Sequence, residues 1–351
     1  MIDRAGEEAY FAAVNSGAGF ISFFEEIFYA PQISRRYVIK GGPGTGKSSF
    51  LRRVAKSAES CGRSVKYYYC SSDTDSLDGV VIDGSIALLD GTAPHSCDTV
   101  LAGVCDEIIN LGDFWDSDSL FESREDIVKY SANKKREYAC AYSYLSAAAR
   151  LMKSCKLFTA RFAEQEKLIK NAQKLCGAYS SGMGTVTRAQ MSAFGVHGRV
   201  HLDTLKNSAG RIWAVEDHYG VGALFMSELL RDARRRGCDV AVSYDTLSGV
   251  CPEEILFTQS GDLFYLSKNP TDNDRAIRCT RFVNKNALAE LRGAYRASVQ
   301  ALDTLLAIAA ERLSVAGKLH AQIEQIYVGA MHFDGVRKKC DEVIEHTRRY
   351  Y

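Results

Sequence analysis

The sequence is short of proline, of net charge and of long apolar runs, and each shortage closes off a class of protein. Five prolines occur, Pro31, Pro43, Pro94, Pro252 and Pro270, so residues 95–251 can carry long uninterrupted helices. Lys and Arg number 44 against 43 Asp and Glu, a net charge of +1, which disfavours a nucleic-acid binder driven by bulk charge. The longest apolar stretches, such as Ala301 to Ala310, are interrupted by Asp303 and fall below the roughly 18–20 residues of a bilayer span. No membrane crossing is expected. Asp3, Glu7 and Glu8 stand where a secretory signal would be basic and then apolar, so a cytoplasmic location is expected. The eleven cysteines are scattered, odd in number and contain no CxxC pair, so reduced thiols are expected rather than a disulfide framework or a zinc site. His197 and His201 share a spacing of four without an acidic partner in a metalloprotease pattern, and read as structural or surface residues.

What is present has a two-part rhythm. From Ser123 to Leu175 the chain is rich in Ala, Lys, Glu, Leu and Arg without Gly or Pro, which predicts helices, with a helical hairpin as one arrangement. A second helical region spans Lys285 to Tyr351, with breaks expected near Gly317 and Gly329. Between them Gly177 to Gly184 is small and polar, and the domain boundary falls there, giving units 1–180 and 181–351. A shift of 175 residues superposes Arg36 on Arg211, Gly62 on Gly237, Val65 on Val240 and Tyr69 on Tyr244, with the same order of strand, turn, helix and glycine stop. The expected fold class is α/β: a P-loop NTPase fold in two tandem halves, each followed by long helical segments.

The strongest local signal follows the β-prone run Tyr37 to Lys40. Gly41-Gly42-Pro43-Gly44-Thr45-Gly46-Lys47-Ser48-Ser49 is GxxxxGK[ST], and a helix with Phe50, Leu51, Val54, Ala55 and Ala58 on one face comes next. Glycines there let backbone N–H groups close around phosphate oxygens, and the helix start adds its positive end. Lys47 suits the β- and γ-phosphates, and the Ser48 hydroxyl suits Mg²⁺. The ion needs an acidic anchor, and the apolar run Ser85 to Leu89 ends in Asp90. No glutamate follows Asp90, so the carboxylate that directs water, or takes a proton from an acceptor, is sought in the loop after the next strand, at Asp73 or Asp75. Trp115, beside a turn, reads as an anchor of its loop on the core. Arginines 124, 136, 150 and 161 read as solvated helix faces.

In the second half the 175-residue shift puts Gly222 opposite Lys47, Ala223 opposite Ser48, Ser248 opposite Asp73, Val250 opposite Asp75 and Tyr265 opposite Asp90, so every phosphate or metal group is lost. GTP is disfavoured, since Asn284-Lys285-Asn286-Ala287 lacks the final Asp of a guanine-reading NKxD.

The runs at 41–49, 70–79 (Cys-Ser-Ser-Asp-Thr-Asp-Ser-Leu-Asp-Gly), 90–95 (Asp-Gly-Thr-Ala-Pro-His) and 110–116 (Asn-Leu-Gly-Asp-Phe-Trp-Asp), with the segment from Leu319 and His320 to Asp334, resemble a poorly characterised bacterial family of tandem P-loop ATPases. The resemblance implies ATP binding and hydrolysis. It departs in the second half, where members usually keep an intact P-loop. Three functions remain open: a Mg-dependent ATPase with one working site, a phosphotransferase acting on a small molecule or nucleotide with Asp73 or Asp75 as base, and a nucleotide-gated binding module with little turnover.

Overall fold

The computed structural model of the chain describes residues 6–94, 97–270, 275–284 and 288–351. Asp3, His95 and the Lys285 to Ala287 part of the NKxD comparison lie outside the described residues.

The chain is mixed α/β. Its first half runs β1 (Glu8–Phe11), a hairpin of β2 (Ala13–Ser16) and β3 (Gly19–Ser22), α1 (Phe24–Phe28), β4 (Arg35–Lys40), α2 (Lys47–Ser60), β5 (Val65–Tyr69), β6 (Leu77–Ile82), β7 (Ile86–Asp90), β8 (Asp106–Asn110), a 3₁₀ turn at Leu111–Phe114, α3 (Ser117–Glu122), α4 (Arg124–Ala160) and α5 (Gln165–Cys176). The second half runs β9 (Val186–Arg188), a hairpin of β10 (Ser192–Gly195) and β11 (Gly198–His201), α6 (Thr204–Ser208), β12 (Arg211–Glu216), α7 (Val221–Arg236), β13 (Val240–Tyr244), β14 (Pro252–Phe257), β15 (Asp262–Ser267), β16 (Arg275–Ile277), a 3₁₀ turn at Cys279–Phe282, α8 (Leu288–Gly329) and α9 (Phe333–Thr347).

The two sheets have the same strand order. The first reads β1-β5-β6-β7-β4-β8 and the second β9-β13-β14-β15-β12-β16. In each the third strand alone runs against its neighbours: β6 is antiparallel to β5 and β7, as β14 is to β13 and β15. Such agreement, element by element, is what a duplicated unit produces.

β4 lies between β7 and β8, parallel to both, and its residues Tyr37, Val38 and Ile39 are fully buried, as an inner parallel strand requires. Alternation divides its faces. Tyr37 and Ile39 join the core under α2, while Val38 packs with Phe24 and Phe28 of α1. Arg36 is held by a 2.5 Å bond from its Nε to the buried Asp106 of β8, which ties these strands together at the sheet's edge.

The long helices exchange their ends. α4 and α8 lie antiparallel, with Arg312 paired to Glu137 at 3.4 Å, Lys134 beside His320 at 3.1 Å, and Ala141, Leu145, Ala148, Ala309 and Leu313 buried between them. α5 does not fold back on α4 as a hairpin. Its Leu168, Ala172 and Cys176 enter the core of the second half against α7, and Val336, Cys340, Val343 and Ile344 of α9 enter the core of the first half with α2. A boundary at residue 180 therefore separates the repeats along the sequence, while in space each half is completed by a helix from the other's arm. α8 also continues through Gly317 without a break. A Cβ at that position would stand 2.7 Å from Val196 Cγ1, so the glycine serves close packing against the β10–β11 turn.

Among the described residues, no helix is long and apolar enough to cross a membrane.

Candidate functional site

β4 delivers the chain into the glycine loop, and α2 begins at Lys47 after Gly46, whose φ of +88° closes the turn. Lys47 Nζ donates to the carbonyls of Gly41 at 3.1 Å and Gly42 at 2.7 Å, and lies 3.7 Å from Asp90 Oδ2. Its side chain is 13% exposed and that of Asp90 17%, so the pair meets in a partly dry pocket edge where charge counts. Parallel pairing sets this meeting: Asp90, the last residue of β7, is in register with Ile39 of β4. Burial raises the proton affinity of Asp90, and the Lys47 ammonium and Thr92 hydrogen bonds work against that rise. Thr92 links the strand ends, its one hydroxyl proton lying within reach of both Asp90 and Gly41 O.

Ser48 Oγ accepts the backbone N–H of Leu77 at 3.0 Å, while Thr45 Oγ1 donates to Gly42 O at 2.9 Å. Pro43 is half-buried at the loop's crest and Ser49 is exposed on the outer side of α2. Asp73 caps its own loop, accepting from Ser76 Oγ at 2.6 Å and from the Asp75 N–H at 3.2 Å. Asp78, the third carboxylate of that stretch, sits inside β6, buried, with its carboxyl pushed well up by burial and then by the charge of Asp90. His197, at the β10–β11 turn of the other half, brings its ring to Asp73 and Asp75, the three offering ligand atoms within 4.8 Å of one another.

The end of α8 roofs the loop. A Cβ on Gly42 would lie 2.6 Å from Tyr327 Cε1, and one on Gly44 would lie 2.7 Å from the Glu324 carbonyl. Trp115 meets Tyr327 edge to face at a centroid distance of 5.9 Å and pairs with Met331, fixing the first half's 3₁₀ turn to the same helix end. His320 and Glu324 of α8 and Lys134 of α4 stand beside the loop. On the helical arm Arg136 is exposed and bonds its neighbour Asn133, as a solvated face would, while Lys134 stands close enough to the loop for its charge to act on Glu324. His320 and Glu324 lie in a segment the resemblance covered, without a role; Lys134 gave no signal, since a lone Lys on a helix ordinarily faces solvent.

In the second half α7 starts after Gly220, with φ +77°, as α2 does after Gly46. The loop is shorter: residues 217–219 precede that glycine after β12, against 41–45 after β4. The helix starts thus put Val221 opposite Lys47 and Gly222 opposite Ser48, one residue from the 175-residue shift, which holds in β5/β13 and β6/β14. Pairing likewise puts Leu266, the partner of Val215, opposite Asp90, the partner of Ile39. The start of α7 is filled from within. Ala223 N–H donates to Asp217 Oδ1 at 3.1 Å. Burial raises the affinity of Asp217 for its proton, opposed by the Ala223 and Gly222 N–H groups and by Lys156 and Lys268.

Comparison of the chain with protein-family models, curated proteins and solved structures finds no match.

Proposed function

We propose that the chain is a P-loop nucleoside triphosphatase with one working site, in its first half, binding ATP with Mg²⁺ and hydrolysing it. The observation that carries this reading is the placement of Lys47 and Ser48 at the start of α2 beside Asp90 on the adjoining parallel strand. A triphosphate has more charge and more acceptor oxygens than the Gly41 and Gly42 carbonyls, so it outcompetes them for the Lys47 ammonium. The free N–H groups at the start of α2 add donors, and the helix contributes a positive end.

The donor set suits magnesium. Ser48 offers a hydroxyl and Asp90 a carboxylate, both hard oxygen ligands, and a cation beside Asp90 would remove the burial penalty that raises its proton affinity. Bound there, the ion neutralises charge on the phosphate oxygens. The protein's part is positioning: Thr92 holds Asp90, Leu77 N–H holds the Ser48 hydroxyl, and Asp73 or Asp75 at the mouth directs water.

Phosphate release with Mg-ATP tests the reading. Lys47→Ala is expected to lower it by about a hundredfold or more, the scale of losing a preorganised charge contact, and Asp217→Asn to leave it unchanged. Equal loss in both variants contradicts a single first-half site. Labelled product that forms only when cell metabolites are added, with negligible free phosphate, moves the reading to a phosphotransferase. Gly222→Ala, the obvious second-half control from sequence, is unsuitable, because its Cβ would stand 2.7 Å from the Glu216 carbonyl.

A further inference from the structure

Five charged or titratable groups from four elements crowd one side of the glycine loop: Lys47, Asp73, Lys134, His320 and Glu324. Burial, then the charge of Asp73, raises the proton affinity of Glu324, opposed by the Gly44 N–H and by the Lys47 and Lys134 charges. Lys134 Nζ is 3.1 Å from His320 Nδ1. Burial, then the charges of Lys134 and Lys47, hold the His320 imidazole down at about 4, so near neutral pH it is uncharged and accepts the hydrogen bond from the Lys134 ammonium. Its other nitrogen lies 3.6 Å from Glu324 Oε1.

The two ammonium charges favour an anion here, yet burial and the charge of Asp73 accommodate the Glu324 carboxylate poorly. The Glu324 side chain remains 44% exposed, on a helix anchored elsewhere by its long contact with α4. In the second half the corresponding helix start is closed by Asp217, which is half-buried, accepts the Ala223 N–H and belongs to the loop itself. The first-half carboxylate comes from a distant helix and reaches solvent, so it can leave.

We propose that Lys134 is a second phosphate-binding cation of the first-half site, contributed by the helical arm, and that an incoming terminal phosphate takes the position of the Glu324 carboxylate between Lys134 and Lys47. The inference rests on the nucleotide reading above. His320 is a positioning residue: it aims the Lys134 ammonium without competing for the phosphate. Lys134 thereby distinguishes a triphosphate from a diphosphate.

Calorimetric titration of the full chain with Mg-ATP and with Mg-ADP tests this, with melting temperatures confirming that each variant is folded. Lys134→Ala is expected to weaken Mg-ATP by about tenfold or more and Mg-ADP by under about threefold. Lys134→Arg restores most of the difference, and Glu324→Gln tightens Mg-ATP. Equal weakening of both nucleotides, no change in either, or looser Mg-ATP binding by Glu324→Gln overturns the inference while leaving the nucleotide reading intact, provided the unmodified chain binds and Lys47→Ala does not. Failure of the unmodified chain to bind either nucleotide removes the nucleotide reading and this inference with it.

Discussion

Asp78 shows how a single residue reports on this pocket. Its carboxyl is enclosed in β6 with Asp90 nearby, and burial sets its proton affinity well above the ordinary carboxylate range. The folded chain therefore holds a proton there that the unfolded chain gives up. Below the unfolded pKa that preference adds stability, and the contribution is lost as pH rises through the folded pKa. Asp78→Asn keeps the shape without the titration. Relative to the unmodified chain, it is expected to gain stability as pH rises above the ordinary carboxylate range, by about 1–3 kcal/mol. Urea denaturation over that rise measures it, and a difference that does not vary with pH contradicts the buried, coupled placement. Lys47, Ser48 and Asp90 were legible in the sequence because their chemistry is local, a nine-residue loop and one strand end. Asp78 carried no such local signal, because the burial that sets its behaviour comes from packing.

Among the elements, α8 does most to define the site. Its last turns lie on the glycine loop closely enough that Gly42 has no room for a methyl group beside Tyr327. Gly42→Ala is expected to cost about 1–3 kcal/mol through overpacking, and Tyr327→Ala in the same chain to recover part of that loss. A double-mutant cycle from thermal unfolding gives the coupling, and strict additivity of the two substitutions contradicts the close contact. The helix was legible from composition, but its length was not. Gly317 reads as a stop in one dimension, while in the structure it admits Val196. The shortened second loop has the same lesson: a uniform 175-residue shift misses its deletion, which the helix starts and strand pairing reveal.

At the scale of the molecule, two equivalent α/β halves are joined by arms that cross. The duplication was visible in the succession of strands, turns and glycine stops, whereas the exchange of α5 and α9 was not, since apolar stripes do not say which helix they will cover. The exchange has a mechanical consequence. The exposed segment 181–184 connects the halves, yet a cut there leaves α5 of one fragment buried against α7 of the other, and α9 of the second against α2 of the first. Limited proteolysis in this segment is expected to give two fragments that elute together without denaturant, at the position of the intact chain. Fragments that separate under those conditions contradict the exchange.

The pairing of one open loop with one closed by its own Asp217 is decided most directly by the stoichiometry of Mg-ATP binding, measured by calorimetry on the full chain. One nucleotide per chain, abolished by Lys47→Ala and retained by Asp217→Asn, is the expected result. Two nucleotides per chain, or binding that survives the loss of Lys47, would contradict it.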